Sequence, residues 1–229
     1  MSKASYIVAT IRPWNIKMFK EVIRYYPGRW VFVDKADDLT LDFVQKVKPR
    51  YIFFPHWSFI VPKEILDAAE CVCFHETDLP YGRGGSPIQN LIQRGHIETM
   101  ISAIRMTQKL DAGPVYMKRH LSLAGLAEEI FLRSSRIIAE MIGEIARKEP
   151  VPIQQKGRPV VFKRRKPSQS RIPAKIKDLE DLFDHIRMLD ASGYPKAFLE
   201  YGGVRMEFSR PALRTDSIEA DVRITSRKR

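Results

Sequence analysis

The sequence predicts an α/β fold with a mostly parallel sheet and helices on both faces, followed by a small C-terminal appendage that contains a β-hairpin. Short apolar runs alternate with amphipathic stretches through the first half of the 229-residue chain, and this alternation is typical of βαβ units. A Gly202-Gly203 dipeptide between two β-like runs suits a two-residue hairpin turn. The apolar content of 44% suffices for one good-sized core, or a core with a small appendage.

Four strands and three helices are predicted in the first part of the chain. The apolar runs lie at residues 5–11, 29–34, 50–55 and 71–75. The stretches with apolar residues at helical spacing lie at 14–26, 39–49 and 61–70. Ligands of such folds bind beyond the carboxyl ends of the strands. We therefore expect His75, at the end of the fourth strand, and the His56-Trp57 pair after the third to lie near a binding site.

Two more helices and two more strands are predicted before the composition of the chain changes near residue 150. Ser86 is the expected N-cap and Pro87 the first residue of a helix at 86–95. The remaining predicted elements are a strand at 99–106, a loop and strand at 109–121, helices at 124–149 and 176–191, and two β-runs within 196–213. Residues 150–175 contain five prolines and predict an extended connector, in which RPVVFKR is a candidate strand. We expect a main domain at 1–149 and a basic linker with a small helix and hairpin at 150–229.

Composition predicts a soluble, cytoplasmic protein with reduced thiols. The sequence contains no run of 18 apolar residues that could span a membrane, and its N-terminus lacks the pattern of a secretory signal. Cys71 and Cys73 are the two cysteines. They are too close in sequence to favour a disulfide, and no second Cys/His pair follows at zinc-ligand spacing. No metal site is expected.

Positive charge is concentrated in one segment of the chain. The net charge is +12, and residues 147–175 contain ten Lys or Arg but a single acid, Glu149. Such a stripe favours an anionic partner, which could be a nucleic acid, a nucleotide or an anionic cofactor. A solvated connector without a partner is the alternative interpretation.

His75 is followed by a glycine-rich loop that could approach a ligand. Gly82, Gly84 and Gly85 permit positive φ angles or close backbone approach, and Arg83 could hold a carboxylate or phosphate. The loop matches neither the P-loop nor the dinucleotide-binding pattern. Asp111 lies in a tight turn further on. If that turn meets His75, the carboxylate would orient the imidazole and raise its basicity; otherwise Asp111 is simply a turn residue.

The stretch CFHETDLPYGRGGSPIQNLIQRG, followed by a strand and LDAGPVYMK, resembles the folate-dependent formyltransferase family. The resemblance follows the order of elements over residues 1–148 and is sharp over 71–118. It implies a Rossmann-like fold, with 1–149 as the catalytic domain, and N10-formyltetrahydrofolate as formyl donor without a metal. His75 and Asp111 fall on two of the three catalytic positions. The tail, with IRMLDASGYPKAFLEYGG, is similar to the small C-terminal part of longer members.

The third catalytic position of the family is an Asn, and here it is occupied by Cys73. The Asn is thought to bind the formyl oxygen as it becomes an oxyanion, and a thiol is a much weaker donor. Loss of one such donor costs about 10²–10³ in rate. A protonated His75, a backbone amide, Asn90 or a different arrangement could replace it. The remaining alternative is that catalysis is impaired and the protein only binds its ligands.

The resemblance also implies a set of folate-contacting residues. The pterin is expected near residues 55–60 and against the backbone at 107–110. Trp57 and Phe59 would supply apolar walls, although both could equally be core residues. The full expected set is Trp57, Phe59, Ile60, Leu79, Pro80, Arg83, Gly84, Gly85, Lys109 and Leu110.

The short C-terminal region favours a nucleotide-linked amino sugar as the acceptor, feeding polysaccharide biosynthesis. About 80 residues after the boundary is little to grip a tRNA, whereas the basic stretch and Arg83 could attract a pyrophosphate. The alternatives are methionyl-tRNA as acceptor, a formyltetrahydrofolate hydrolase with water as acceptor, and a folate- or nucleotide-binding module. A homodimer formed through the C-terminal hairpin is a further expectation, because a lone hairpin is marginally stable.

Overall fold

The structure is a computed structural model that describes residues 4–226. Its central sheet contains six strands, which are β1 (Ser5–Ala9), β2 (Arg29–Val33), β3 (Tyr51–Phe54), β4 (Glu70–His75), β6 (Glu98–Arg105) and β7 (Val115–Ser122); the two-residue strand β5 (Arg83–Gly84) lies in the glycine loop. The strand order is β2-β1-β3-β4-β6-β7. The first four are parallel, with Ile7 opposite both Val31 and Ile52, while β6 runs antiparallel to β4. The predicted mostly parallel sheet is confirmed.

Six α-helices connect and cover the strands. They are α1 (Pro13–Glu21), α2 (Leu41–Val47), α3 (Lys63–Ala68), α4 (Pro87–Ile92), α5 (Ala127–Lys148) and α6 (Leu179–Arg187) in the described part of the chain. The Thr40 side chain caps α2 by accepting a hydrogen bond from the Phe43 N–H, and left-handed Lys48 ends it. Ser86 is not the predicted side-chain cap of α4; its hydroxyl instead accepts from the Arg165 N–H, at 3.1 Å.

The sheet is covered on both faces because its strands are apolar on both sides. One face carries Ile7, Ile52 and Phe54, which join Val44 of α2 and Ile65 of α3 in a buried cluster. Side chains alternate along a strand, so Tyr6 lies on the opposite face, where its hydroxyl donates to the Ala146 carbonyl of α5 at 3.3 Å. This double burial explains the continuous apolar runs that predicted the strands.

The chain folds into two compact units. One contains the residues up to Gly84 together with Thr99–Leu121 and Leu132–Val161, and the other contains Gly85–Glu98, Ser122–Phe131 and the residues from Phe162 onward. The predicted domain boundary between residues 149 and 150 stays a prediction. Residues 150–175 are largely irregular, as expected, with the two-residue strand β8 (Val161–Phe162) and a 3₁₀ turn at Pro167–Ser170.

The second unit contains an antiparallel sheet with one strand more than predicted. Its strands are β9 (Ala197–Tyr201), β10 (Val204–Leu213) and β11 (Ile218–Ser226), in the order β11-β10-β9. Gly202 adopts a φ of +54° in the expected hairpin turn. Strand β11 pairs along β10, so the hairpin is not isolated. The reason given for a homodimer therefore disappears, and the homodimer itself stays a prediction.

No helix within residues 4–226 is both long and apolar enough to cross a membrane. Cys71 and Cys73 are both free thiols, and Cys71 is buried. Burial, with a smaller contribution from the charge of Glu70, raises the pKa of Cys71 to about 12. A thiol in this state is neutral and unreactive, which fits the predicted reduced cysteines.

Gly113 provides a test of the loop between β6 and β7. A Cβ at this position would lie 1.7 Å from the Arg105 carbonyl oxygen, which belongs to the backbone and cannot move aside cheaply. We expect Gly113→Ala to destabilise the protein by about 3 kcal/mol, measured by urea unfolding. Gly203→Ala is the control, since nothing lies within 4 Å of its Cβ; an equal loss in both variants would contradict the argument.

Candidate active site

His75 ends strand β4 and is held there by a hydrogen bond. The residue is 7% exposed, and its Nε2 lies 2.8 Å from the carbonyl oxygen of Gly82 in the glycine loop. A carbonyl oxygen can only accept a hydrogen bond, so Nε2 carries a proton. The other ring nitrogen, Nδ1, is therefore the atom available for proton transfer.

Asp111 lies beside this nitrogen, as the sequence predicted. Its Oδ2 is 3.7 Å from His75 Nδ1 and accepts a hydrogen bond from the Gly84 N–H, at 2.8 Å. Strand β6 runs antiparallel to β4, with Ser102 opposite His75 and Arg105 opposite Val72, so the chain leaves β6 near the start of β4. The loop after β6 then returns along the sheet and places Asp111 beside His75. Asp111 adopts a φ of +50°, a conformation that is uncommon outside glycine and that Asp tolerates better than most residues.

The two groups form a site that can hold one proton between them. An unprotonated Nδ1 and an ionised carboxylate are both acceptors, so at this separation they repel each other until a proton or an N–H donor comes between them. An attacking amine has such a proton to lose. The pair of His75 and Asp111 thus has the composition and geometry of a general base.

A bridge through Arg83 and Gln155 braces the Asp111 turn. The Arg83 guanidinium donates two hydrogen bonds to Gln155 Oε1, at 3.1 and 2.8 Å. The Gln155 amide then donates to the carbonyl oxygens of Asp111 and Gly113, each at 2.8 Å. The expected role of Arg83 in ligand binding stays a prediction. Gln155 was missed because it lies in a proline-rich segment without periodicity.

Cys73 lies on the same side of β4 as His75, because the two residues are two positions apart on a strand. It is half-buried, and burial together with the nearby Asp111 carboxylate raises the pKa of its thiol far above the usual value. The residue at the family's Asn position is therefore a neutral S–H group, which is a weak donor.

The groups proposed to replace the Asn are already engaged, with the exception of His75. The Gly82 and Arg83 N–H groups both donate to the Val160 carbonyl, the Gly84 N–H donates to Asp111, and the Gly85 N–H donates to Phe162. The amide of Asn90 donates to three carbonyl oxygens, those of Gly85, Ser86 and Lys163. A protonated His75 is the member of the proposed set that keeps a suitable donor.

The predicted folate-contacting residues fall into exposed and buried groups. Phe59, Ile60 and Leu110 are 49%, 96% and 74% exposed, and Lys109 is exposed too. Trp57 is half-buried, with ring centroids 5.9 Å from Phe54 and 5.2 Å from Phe59. Leu79 is 2% exposed, and its side chain packs in the core. For the set as a whole, including Pro80, Arg83, Gly84 and Gly85, the binding role stays a prediction.

A buried polar cluster next to His75 contains Glu76, which was not predicted, and His56, which was expected to lie near a binding site. Glu76 is 3% exposed; its Oε1 contacts His56 Nε2 and accepts a hydrogen bond from Ser134, at 3.3 Å. His56 Nδ1 contacts the Asn15 amide at 2.7 Å and the Trp14 indole N–H at 3.3 Å. Burial alone would raise the pKa of Glu76, but interaction with the His56 imidazole and the charge of His75 outweigh it and lower that pKa.

Metal ligands are not gathered at this site. Across the residues that the structure describes, no three His, Cys, Asp or Glu side chains come together in a way that could hold a metal ion.

Comparison with known proteins identifies the class to which this fold and site belong. The family described as methionyl-tRNA formyltransferase, C-terminal domain, matches residues 167–225. The solved structure of a methionyl-tRNA formyltransferase from Clostridium thermocellum is 49% identical, with a TM-score of 0.92, and the match covers 97% of this chain and 99% of that one. A methionyl-tRNA formyltransferase from Campylobacter fetus is 32% identical over 106 residues, 46% of this chain and 35% of that protein. The chain thus spans about a third of the length of the curated relatives it matches.

A more distant structure shares the fold alone. HypX from Aquifex aeolicus, in complex with tetrahydrofolic acid, is 16% identical with a TM-score of 0.74, and the match covers 92% of this chain and 38% of HypX.

The chain belongs to the formyltransferase family, and the resemblance inferred from residues 71–118 is confirmed. The preferred acceptor was wrong. The relatives with substantial identity are methionyl-tRNA formyltransferases, which overturns the nucleotide-linked amino sugar, the role in polysaccharide biosynthesis and the low rank given to tRNA.

Glu76 makes a prediction for stability against pH. Because its pKa is lowered in the folded protein, Glu76 contributes stability above the ordinary glutamate value of about 4.3 and loses it as pH falls through the folded value. We expect Glu76→Gln to cost roughly 2–3 kcal/mol at pH 7, with the difference from wild type shrinking below about pH 4. Urea unfolding between pH 3 and 8 measures this. Glu64→Gln, on the exposed surface of α3, is the control; a pH-independent difference for Glu76→Gln would contradict the prediction.

Proposed function

We propose that this protein transfers the formyl group of N10-formyltetrahydrofolate to the amine of methionyl-tRNA. The observation that carries the proposal is the 3.7 Å separation between His75 Nδ1 and Asp111 Oδ2 at the carboxyl end of β4. This pair supplies what the transfer of an acyl group to an amine needs most, namely a place for the proton that the amine loses.

The formyl donor of the family fits the exposed residues beside this pair. N10-formyltetrahydrofolate supplies a formyl group carried on nitrogen. Phe59, Ile60 and Leu110 present apolar surface to solvent, and half-buried Trp57 lies against Phe59. Phe59 and Ile60 follow the end of β3, and Leu110 directly precedes Asp111. Exposed apolar side chains in the loops beyond a strand end suit a flat ring system. These four residues would hold the pterin.

His75 and Asp111 would act on the amine and on the oxygen of the formyl group. The amine must be neutral to attack, and its proton would pass to the pair at Nδ1 or Oδ2. Because Nε2 is bonded to Gly82, protonation at Nδ1 gives a charged imidazolium whose N–H points to the region beside Asp111. That N–H would stabilise the negative charge that develops on the formyl oxygen, a role for which the Cys73 thiol is a weak donor. Collapse of the tetrahedral intermediate would break the bond between the formyl carbon and N10, and the proton taken from the amine would pass to N10 of the leaving tetrahydrofolate.

The C-terminal unit and its positive charge support a tRNA acceptor. The family match over residues 167–225 is to the C-terminal domain of methionyl-tRNA formyltransferases. Exposed basic residues precede and enter this region, including Lys163, Arg164 and Lys166. An open cavity of about 590 Å³ in the same unit is lined by Arg165, Arg171 and other residues. Lys and Arg side chains bind nucleic acids chiefly through the phosphate backbone.

Substitution of the candidate catalytic pair tests the activity. We expect His75→Ala to abolish formyl transfer and Asp111→Asn to lower kcat by about 10²–10⁴, since general acid–base catalysis is worth that much. Tetrahydrofolate release and formyl-methionyl-tRNA formation measure the reaction. His120→Ala, at an exposed position of β7, is the control. Undiminished turnover in His75→Ala would refute the mechanism, and release without tRNA would indicate a hydrolase.

Charge removal from the basic segment tests the acceptor. We expect Lys163→Ala, Arg164→Ala and Lys166→Ala, combined in one variant, to weaken tRNA binding and to reduce the slope of log affinity against log salt by about one for each phosphate interaction removed. Removal of three exposed lysines elsewhere, as Lys17→Ala, Lys20→Ala and Lys63→Ala, serves as the control. Equal effects in the two triple variants would contradict a tRNA-binding role for this segment.

A further inference from the structure

The cluster around Glu76 fixes one tautomer of a second histidine. The indole N–H of Trp14 can only donate, and it points to His56 Nδ1 at 3.3 Å. Nδ1 must therefore accept, and the ring proton of His56 lies on Nε2, facing the Glu76 carboxylate. His56 thus links the Trp14 indole to the Glu76 carboxylate, accepting a hydrogen bond at Nδ1 and contacting Glu76 through Nε2.

The contacts of His56 also hold its backbone in the left-handed conformation. His56 has a φ of +50°, which is uncommon for a residue with a side chain and strains the backbone. The Asn15 side-chain amide also holds this segment, because it donates to the Pro55 carbonyl at 3.3 Å and contacts His56 Nδ1 at 2.7 Å. Strained backbone of this kind persists when surrounding interactions over-determine it.

The cluster links the two strand ends that carry the candidate site. Glu76 directly follows His75 at the end of β4, and His56 directly precedes Trp57 after the end of β3. Glu76 is also close enough for the charge of His75 to act on it. A buried carboxylate at this point therefore fixes the position of His75 relative to the loop of Trp57 and places a negative charge behind the imidazole.

We propose that Glu76 is a positioning residue of the site. It acts through His56 to keep His75 in a fixed position relative to the Trp57 loop. The inference rests on the proposed function for its kinetic readout, but the positions of the ring protons can be observed without any substrate. Glu76 does not need to touch the substrates in this role; it acts on the imidazole that does.

The kinetic test uses Glu76→Gln, which keeps the shape and removes the charge. We expect kcat per folded molecule to fall on the order of tenfold, because small displacements of a catalytic group cost rate, with KM for N10-formyltetrahydrofolate changed less than twofold. Trp14→Phe, which removes one donor to His56 Nδ1 and leaves the Asn15 amide in place, should lower kcat in the same direction but by less. The double variant should be no slower than Glu76→Gln alone, because both changes act through His56. Glu64→Gln is the matched control, and Trp14→Phe carries the test if Glu76→Gln does not fold.

The second readout is the ¹⁵N NMR signature of the histidine rings. We expect wild-type His56 to be a single tautomer protonated at Nε2, Glu76→Gln to populate a second tautomer, and both variants to shift the ring signals of His75. Unchanged His75 signals and unchanged kcat in a folded variant would overturn the proposal, as would additive losses in the double variant. An inactive wild type whose His75 signals still respond would reject formyl transfer and retain Glu76 as the group that positions His75.

Discussion

The site depends on keeping an imidazole nitrogen and a carboxylate oxygen 3.7 Å apart. Two acceptors at that separation repel each other unless a proton lies between them, so the protein has to hold both groups against their own repulsion. The Gly82 carbonyl holds His75 from one side and the Gly84 N–H holds Asp111 from the other. The glycine loop therefore sets the geometry of the pair, and its positive φ angles at Gly82 and Gly84, +79° and +103°, explain why it is built from glycine.

Much of the fold and the central pair could be predicted because they leave local patterns in the sequence. Strands buried on both faces are continuous apolar runs, and the carboxyl end of such a strand is where His75 was expected. Gln155 left no such pattern, since its function arises from two backbone carbonyls that only the folded chain brings to it. Glu76 was overlooked because an acid after a strand is usually a solvated loop residue. Strand β11 was overlooked because the charges between Ile218, Val222 and Ile224 made it resemble a polar tail.

The acceptor was predicted wrongly because the short length of the C-terminal region was used to judge whether that region could bind a tRNA. The C-terminal unit forms a three-stranded sheet with α6 packed against β10 in few residues. Phosphate backbones are bound by positive charge spread over a surface, and the exposed residues near Lys163 and Lys166 supply that charge without a large domain. A basic stretch by itself attracts any polyanion, so the charge pattern could not separate a nucleotide sugar from a tRNA; the relatives with substantial identity are methionyl-tRNA formyltransferases.

The bridge through Gln155 places residues beyond α5 in the same compact unit as His75 and Asp111. The segment after α5 is tied back to the first sheet at three points, where Ile153 pairs with Val115, Gln155 supports the Asp111 turn, and Val160 accepts from the glycine loop. A cut after residue 149, where the composition changes, would remove all three contacts. Residues 150–161 thus make specific contacts with the first sheet and with the turn of Asp111, and a fragment that keeps these contacts has to extend through Val161.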